Sequence, residues 1–549
     1  MPQDSNYTAV IIGAGHNGLV CASYLARAGW KVLVLERRGV VGGCAVTEET
    51  WPGYKVSTAA YVISLLLPEI ERDLELAKHG YRVLPRNPSS FTPLPDGRFL
   101  LLGPDREANL REIGKFSQRD AEAYPRYEAF LSRVAECLEP VLESTPPDLL
   151  PLPAAWRRIG VRKRLRDVRR GWSLYTALRR LGEDLPAAIE LLTGAARTIL
   201  DRWFESDALK ATLATDAVIG TFQPISAPGT AYVLLHHVMG SAGGERGVWG
   251  YVEGGMGGLS QALARAAESA GVEIRLDTAV EEITARDGAV TGVRVAGGEH
   301  IAAERVASNV DAHLTFERLL GREHLPEGFR RAVERIDYSS ASLKINLAVR
   351  ELPSFTCLAG PGSAGPTAVE AGPEHRGTIH IGPSLEYLER AYADARGGRP
   401  SEHPLIEMTI PSSVDPTLAP PGRHVISLFV QYAPCSLSEG TWDEQKEAFA
   451  DRCVAEIAGY APNFPASIVH RQVLSPVDLE RTFGLTGGNI FQGAMSLGQL
   501  VSLRPVPGWS DYRTPVRGLY LCGSAAHPGG GVMGACGRNS AGEMLRDGR

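Results

Sequence analysis

Three glycines, Gly13, Gly15 and Gly18, stand in the spacing G-x-G-x-x-G, with His16 and Asn17 between them and an acid, Glu36, one helix and one strand further on. This set can hold a dinucleotide. Gly13 permits a tight turn, Gly15 lets a pyrophosphate approach the backbone, and Gly18 lets a helix lie close on a strand. The helix start adds free N–H groups and a positive dipole end for the anion. Glu36 would accept hydrogen bonds from an adenosine ribose. The elements that must position these residues are a buried strand over Ala9 to Ile12, a helix over Leu19 to Ala28 stopped by Gly29, and a second strand over Lys31 to Leu35.

The second strand runs on as ERRGVVGG, so Arg37, Arg38, Gly42 and Gly43 form another glycine-rich turn against the same pyrophosphate. That extension resembles FAD-binding oxidoreductases more than NAD dehydrogenases. In many flavoproteins of this type an arginine follows the glycine pair, whereas here Cys44 stands there, and Arg37 or Arg38 is expected to take over the phosphate contact. Near the other end of the chain GLYLCG is a strand closing on Gly523, followed by Ser524 to Gly534 and a helix to about Leu545. Gly529, Gly530 and Gly531 at a helix start would let a flat ring meet backbone, with Val532 and Met533 beside it. His527 is the titratable candidate for catalysis, and two roles stay open for it: reaching the flavin, or fixing the turn before Pro528.

The stretch between holds one more glycine-rich piece, YVEGGMGGL, leading a helix over Leu259 to Ser269 and the strand-like VEIRLDTAVEEI. It lacks a strand-linked G-x-G-x-x-G. We read it as the chain returning to complete the nucleotide domain, with Val280 near the adenine. A small sheet over Thr291 to Val295 and His300 to Val306 follows, and Ser342 to Val349, Ile406 to Ile410 and Val425 to Tyr432 read as a mixed sheet with an amphipathic helix over Trp442 to Tyr460.

From Asp105 to Val238 the pattern is mainly helical. Within it, Trp156 to Leu181 carries ten basic residues from Arg157 to Arg180, with Asp167 as its one acid, interleaved with Leu165, Trp172 and Tyr175. Two readings apply: a solvated basic helix, or a segment that lies on an anionic membrane.

With 549 residues the chain is long enough for two or three domains, and a net charge of -6 without a basic stripe of RNA-binding type argues against nucleic acid. Eight cysteines without C-x-x-C spacing argue against a zinc site and a disulfide framework, so a reducing cytoplasm is expected. The first strand begins almost at once, leaving no room for a targeting peptide, and no apolar run reaches the length of a membrane span. His236 and His237 have no carboxylate at ligand spacing, so no metal is expected.

Taken together, AVIIGAGHNGLVCASYLARAGWKVLVLERR, VEGGMGGL and GLYLCGSAAHPGGGVMGACGRNSA resemble the phytoene desaturase-like FAD oxidoreductases, nearest to the group called pyridine nucleotide-disulfide oxidoreductase domain-containing protein 2. The resemblance implies an α/β fold with a Rossmann-type FAD domain of the glutathione reductase-like or amine oxidase-like kind. Discontinuous segments, about 1–75, 240–335 and 500–549, would build it. An α+β substrate domain, about 76–239 and 336–499, is inserted and includes the basic helical region about 105–238. It implies FAD as cofactor and oxidation of a hydrophobic, unsaturated or polyene substrate, with oxygen or a quinone as acceptor. A redox-neutral isomerase or hydratase, a flavin-bearing scaffold and an NAD-linked disulfide reductase are the alternatives. The C-x-x-x-x-C of disulfide reductases is absent after Gly43, which makes Cys44 a packing or phosphate-side residue.

Overall fold

The computed structural model describes residues 7–148, 161–242, 245–359 and 370–548. Its fold is α/β and turns on two sheets. The first is five-stranded and parallel, in the order Glu273–Arg275, Val32–Leu35, Ala9–Ile12, Val306–Ser308, Leu519–Leu521. AVII and VLVL are buried at every position, as strands covered on both faces must be, and they pair Val10 with Leu33 and Ile11 with Val34. Helix His16–Arg27 packs against helices Gly257–Ser269 and Ala535–Asp547. Its buried residues include the small Gly18, Cys21, Ala22, Ser23 and Ala26 beside Leu19, Val20 and Leu25.

The small sheet has three antiparallel strands, Val280–Arg286, Ala289–Val295 and His300–Ala302. Val306 was expected to continue it. Instead the chain leaves at Ala303, and Val306 pairs in parallel with Val10, because its apolar side chain belongs to the buried core of the first sheet.

The second large sheet has seven strands, in the order Ile468–Leu474, Ser342–Val349, His424–Gln431, Leu405–Thr409, Thr378–Ile381, Ser90–Pro93, Phe99–Leu102. It is mixed, since only Thr378–Ile381 and Ser90–Pro93 run parallel. All eight residues of Ser342–Val349 are buried. Leu343, Ile345, Leu347 and Val349 enter the core that helix Trp442–Ala458 covers, and the alternation of a strand sends Ser342, Lys344 and Asn346 to the opposite face.

Over this second face lie helices, among them Gln118–Leu142, Asp207–Ala214 and Thr230–Val238. Gln118–Leu142 opens on Ser117, whose hydroxyl accepts from the Asp120 N–H, and buries Tyr124, Tyr127, Phe130, Leu131 and Val134. Among the described residues no helix is long and apolar enough to cross a membrane.

Candidate functional site

The carboxyl ends of the parallel strands open on a cavity of about 710 Å³ that reaches across to the second sheet. Ile12 and Gly13, Leu35 and Glu36, Asn309 and Val310, and Ser524 all stand at those ends and line it. This is where ligands of open α/β sheets bind.

Gly13 turns at a φ of 94°, and its N–H donates to the Leu35 carbonyl at 2.8 Å. A Cβ on Gly15 would lie 2.8 Å from Asn309 Nδ2, and one on Gly18 would collide with the Gly13 carbonyl oxygen. Gly42, at a φ of 123°, donates its N–H to the Ala14 carbonyl at 2.9 Å, so the two glycine turns lie side by side. Gly13, Gly15, His16, Asn17, Gly42, Gly43 and Cys44 line the cavity, while Gly18 stands behind it as a packing residue.

Glu36 is nearly buried. Its Oε2 accepts from the Ala14 N–H at 2.8 Å and its Oε1 from the Arg38 N–H at 3.0 Å, and each oxygen keeps a lone pair for a ribose hydroxyl. The two arginines separate. Arg37 donates to the carbonyls of Thr482 at 2.6 Å and Arg481 at 3.2 Å, which ties it to the helix Pro476–Phe483. Arg38 pairs with Glu48 at 2.8 Å and lies over Phe483, while its Nη1 is buried with no protein partner. Both that free donor and the unpartnered His16 Nε2 belong to residues that line the cavity. Burial lowers His16 to about 4, so its ring is neutral there, and raises the Cys44 thiol to about 12, so it carries no thiolate. Spare donors, glycine space and an acid fit FAD.

Gly531 and Val532 line the cavity, and so does Val280, two residues beyond the Thr278 N–H that donates to the Glu36 carbonyl at 2.8 Å. Gly523 is pressed on Asn309, a Cβ there falling 2.5 Å from its carbonyl oxygen. Gly530 is packed against Phe491 and its carbonyl takes His236 Nε2 at 3.0 Å, while Met533 is buried in the core against the first sheet. The expected glycine helix start is displaced. The helix begins at Ala535, with Gly534 as its N-cap, so Gly529 to Gly531 form a loop one turn earlier.

His527 does not reach the cavity. It is completely buried beside the backbone of Leu142 and Ser144, burial lowers it to about 3, and its carbonyl accepts the Tyr512 hydroxyl at 2.8 Å. Its place is in the turn, not at the chemistry.

Three features escaped the sequence reading. Asn309 follows strand Val306–Ser308 and wedges its amide between Gly13, Gly15 and Gly18, donating to the Gly13 carbonyl at 3.2 Å. Arg504 is a buried guanidinium that donates to the carbonyls of Ser524, Phe491, Gly493, Ala494 and Gln499, locking the loop over the cavity to the end of the first sheet. The third is a polar wall on the second sheet.

Lys344 Nζ donates to Asn346 Oδ1 at 2.9 Å and to the Ser427 hydroxyl, and lies over the Tyr61 ring. Tyr61 donates to Glu407 Oε2 at 2.8 Å, with His380 Nδ1 at 3.9 Å from Oε1 of the same carboxyl. Arg86 donates to Thr378 Oγ1 at 2.6 Å and to the Trp249 carbonyl at 3.0 Å. Burial lowers Lys344 to about 7 and His380 to about 3. Burial, and then the neighbouring Glu407, raise Asp216 to about 7, and burial raises Glu407 itself. The wall therefore sets the Arg86 guanidinium beside two groups, Lys344 and Asp216, that titrate near neutral pH. Lys344 and Asn346 inside the apolar SLKINLAV are the signal that marks this wall, since a buried strand has no use for them without partners.

Known proteins bear on this geometry. A family model described as flavin containing amine oxidoreductase matches residues 18–545. The rat pyridine nucleotide-disulfide oxidoreductase domain-containing protein 2 is 50% identical over 554 residues, covering 98% of this chain and 94% of its own. The lycopene-forming phytoene desaturase of Pseudescherichia vulneris is 26% identical over 559 residues, covering 98% and 99%. Putrescine oxidase bound to putrescine superposes with a TM-score of 0.58 at 17% identity, covering 98% and 99%. At that identity the likeness is one of fold.

Proposed function

The chain belongs to the flavin containing amine oxidoreductase family, with FAD as its cofactor, and from that premise we propose that it oxidises C–H bonds of a hydrophobic, unsaturated substrate with oxygen or a quinone as electron acceptor. The observation that carries the reading is the single cavity joining the glycine cradle to the second sheet, with Leu131, Leu213, Leu234, Phe429, Ile490 and Phe491 among its walls. When bound, FAD supplies a two-electron acceptor for a hydride. The first-turn N–H groups and Arg38 would hold the pyrophosphate, and Glu36 would hold the ribose. The apolar walls orient the substrate and keep water out.

Arg86 supplies positive charge to the wall, and that repels a protonated amine. The carboxyls that could offset it, Asp216 and Glu407, are both pushed toward their neutral forms. A neutral substrate suits this wall better, and the relative named for phytoene acts on such a hydrocarbon. Lys344, near 7, can accept a proton at Nζ at neutral pH without leaving its bonds to Asn346 and Ser427. NAD(P)H is expected to be a poor reductant. The second sheet is antiparallel apart from one pair and offers no second dinucleotide cradle among the described residues, and all eight cysteines are free thiols.

Anaerobic stopped-flow mixing of the yellow holoenzyme tests this. Phytoene or a smaller terpene such as limonene should bleach the flavin in a saturable phase, while putrescine and NADH should not. Rapid, saturable bleaching by NADH or NADPH would overturn the expectation that they are poor reductants, and bleaching by putrescine alone the reading of the substrate.

A further inference from the structure

The helix Val161–Arg180 presents two different faces, and their contents differ from a simple count of its charges. Lys163 points inward to Asp167 at 2.8 Å, Asp148 at 3.2 Å and Asp511 at 3.7 Å, and Arg170 to Glu543 at 2.6 Å and Asp167 at 3.5 Å. These cations are spent on holding the helix to the FAD domain. Arg157 and Arg158 lie outside the described residues. What remains outward is Arg164, Arg169, Arg179 and Arg180, and with them Leu165, Val168, Trp172 and Tyr175. The last four are 66%, 61%, 65% and 53% exposed, and they are half of the eight large hydrophobic residues so exposed among those described. Their spacing of three, four and three residues stacks them in one stripe. The helix's one acid, Asp167, is buried.

We infer that this face lies on an anionic lipid surface, with the apolar stripe among the acyl chains and the four arginines at the headgroups. A chain whose net charge is -6 has no general attraction to such a surface, so the attraction must come from this local cluster. Exposed Trp and Tyr, whose rings here lie 5.4 Å apart, suit the boundary between water and hydrocarbon, and Arg side chains can lay their stems along the stripe. A second copy of the chain is a poorer occupant, because a twofold contact through this face would set the arginines of one protomer against those of the other. The helix packs on Gln118–Leu142, whose Tyr124, Tyr127 and Leu131 line the cavity, so a docked bilayer lies one helix away from the substrate space. The inference goes beyond the proposed activity and does not depend on which substrate fills the cavity.

Flotation of the FAD-loaded full chain with vesicles tests it. Vesicles of phosphatidylcholine mixed with phosphatidylglycerol should carry the protein upward at low salt, at least about tenfold better than phosphatidylcholine alone, with the difference lost at high salt. The double variant Arg164→Glu, Arg169→Glu should keep its yellow flavin and lose flotation. Brominated lipid should quench tryptophan emission in the parent and not in Trp172→Phe. Equal recovery with neutral and anionic vesicles, or undiminished flotation of the double variant, would overturn the inference. So would a dimer in light scattering that becomes a monomer on Trp172→Ser, since the face would then be a contact between copies.

Discussion

The two ends of the cavity are built by opposite means. At the cradle the contacts are backbone: two glycine turns side by side, helix-start N–H groups, and a carboxylate already held by two amides. At the second sheet they are side chains, Lys344, Tyr61, Glu407, His380 and Arg86, brought together from strands far apart in the chain and from loops beside them. The difference teaches what each end is for. Backbone cannot be retuned without moving the chain, so it suits a cofactor whose shape never changes. Side chains shift charge and shape singly, which suits selection of a substrate.

That contrast is breakable by mutation, and the cradle should break hardest. Gly15→Val sets a branched side chain where even a Cβ stands 2.8 Å from Asn309 Nδ2, and the folded variant should emerge without flavin. Overpacking of this kind costs about 1–3 kcal/mol before lost phosphate contacts are added, and the ratio of flavin to protein absorbance reads it. A yellow, folded Gly15→Val would mean the pyrophosphate does not sit on this turn.

The wall should instead alter rate and leave flavin content alone. Lys344→Met is expected to slow substrate bleaching by about a hundredfold and to remove any rise of that rate with pH near 7. Stability adds a second readout. Burial takes Lys344 from 10.5 to about 7, so between these values the unfolded chain binds the extra proton and stability rises with pH. The penalty is full below pH 7. Lys344→Met should therefore melt higher than the parent by the largest margin below pH 7, and the margin should shrink toward pH 10.

Arg504 joins the two ends, and Arg504→Lys should weaken the whole rather than either chemistry. Its guanidinium serves five carbonyls that an ammonium cannot reach together, and losing two or three of those bonds costs about 3 kcal/mol, measurable as a lowered denaturant midpoint. His527→Asn should do least at the cavity. Flavin content and bleaching rate should stay within about twofold of the parent while the melting temperature falls. A loss of rate as large as that of Lys344→Met would return His527 to the site.

The sequence by itself determined the cradle, because every residue from Ala9 to Cys44 that makes it is near its partners along the chain and the spacing of glycines, helix and acid is the mechanism. It also marked Ser342–Val349 as a strand and Trp442 to Tyr460 as an amphipathic helix, which the structure shows over Trp442–Ala458, through hydrophobic period alone. Period says nothing about which strand lies beside which. Lys344, Glu407 and His380 meet only because Ser342–Val349, His424–Gln431, Leu405–Thr409 and Thr378–Ile381 are consecutive in one sheet, and Asn309 reaches the glycines only because Val306–Ser308 adds next to Ala9–Ile12. The same limit governs direction. Counting arginines could not say that Arg37 turns to Thr482 while Arg38 keeps a free donor, or that Lys163 and Arg170 are consumed inward while Arg164 and Arg169 face out. A side chain's charge is written in the sequence, but its partner is decided by packing, since burying a charge is tolerated only where tertiary structure brings its counter-charge or hydrogen bonds to the same place.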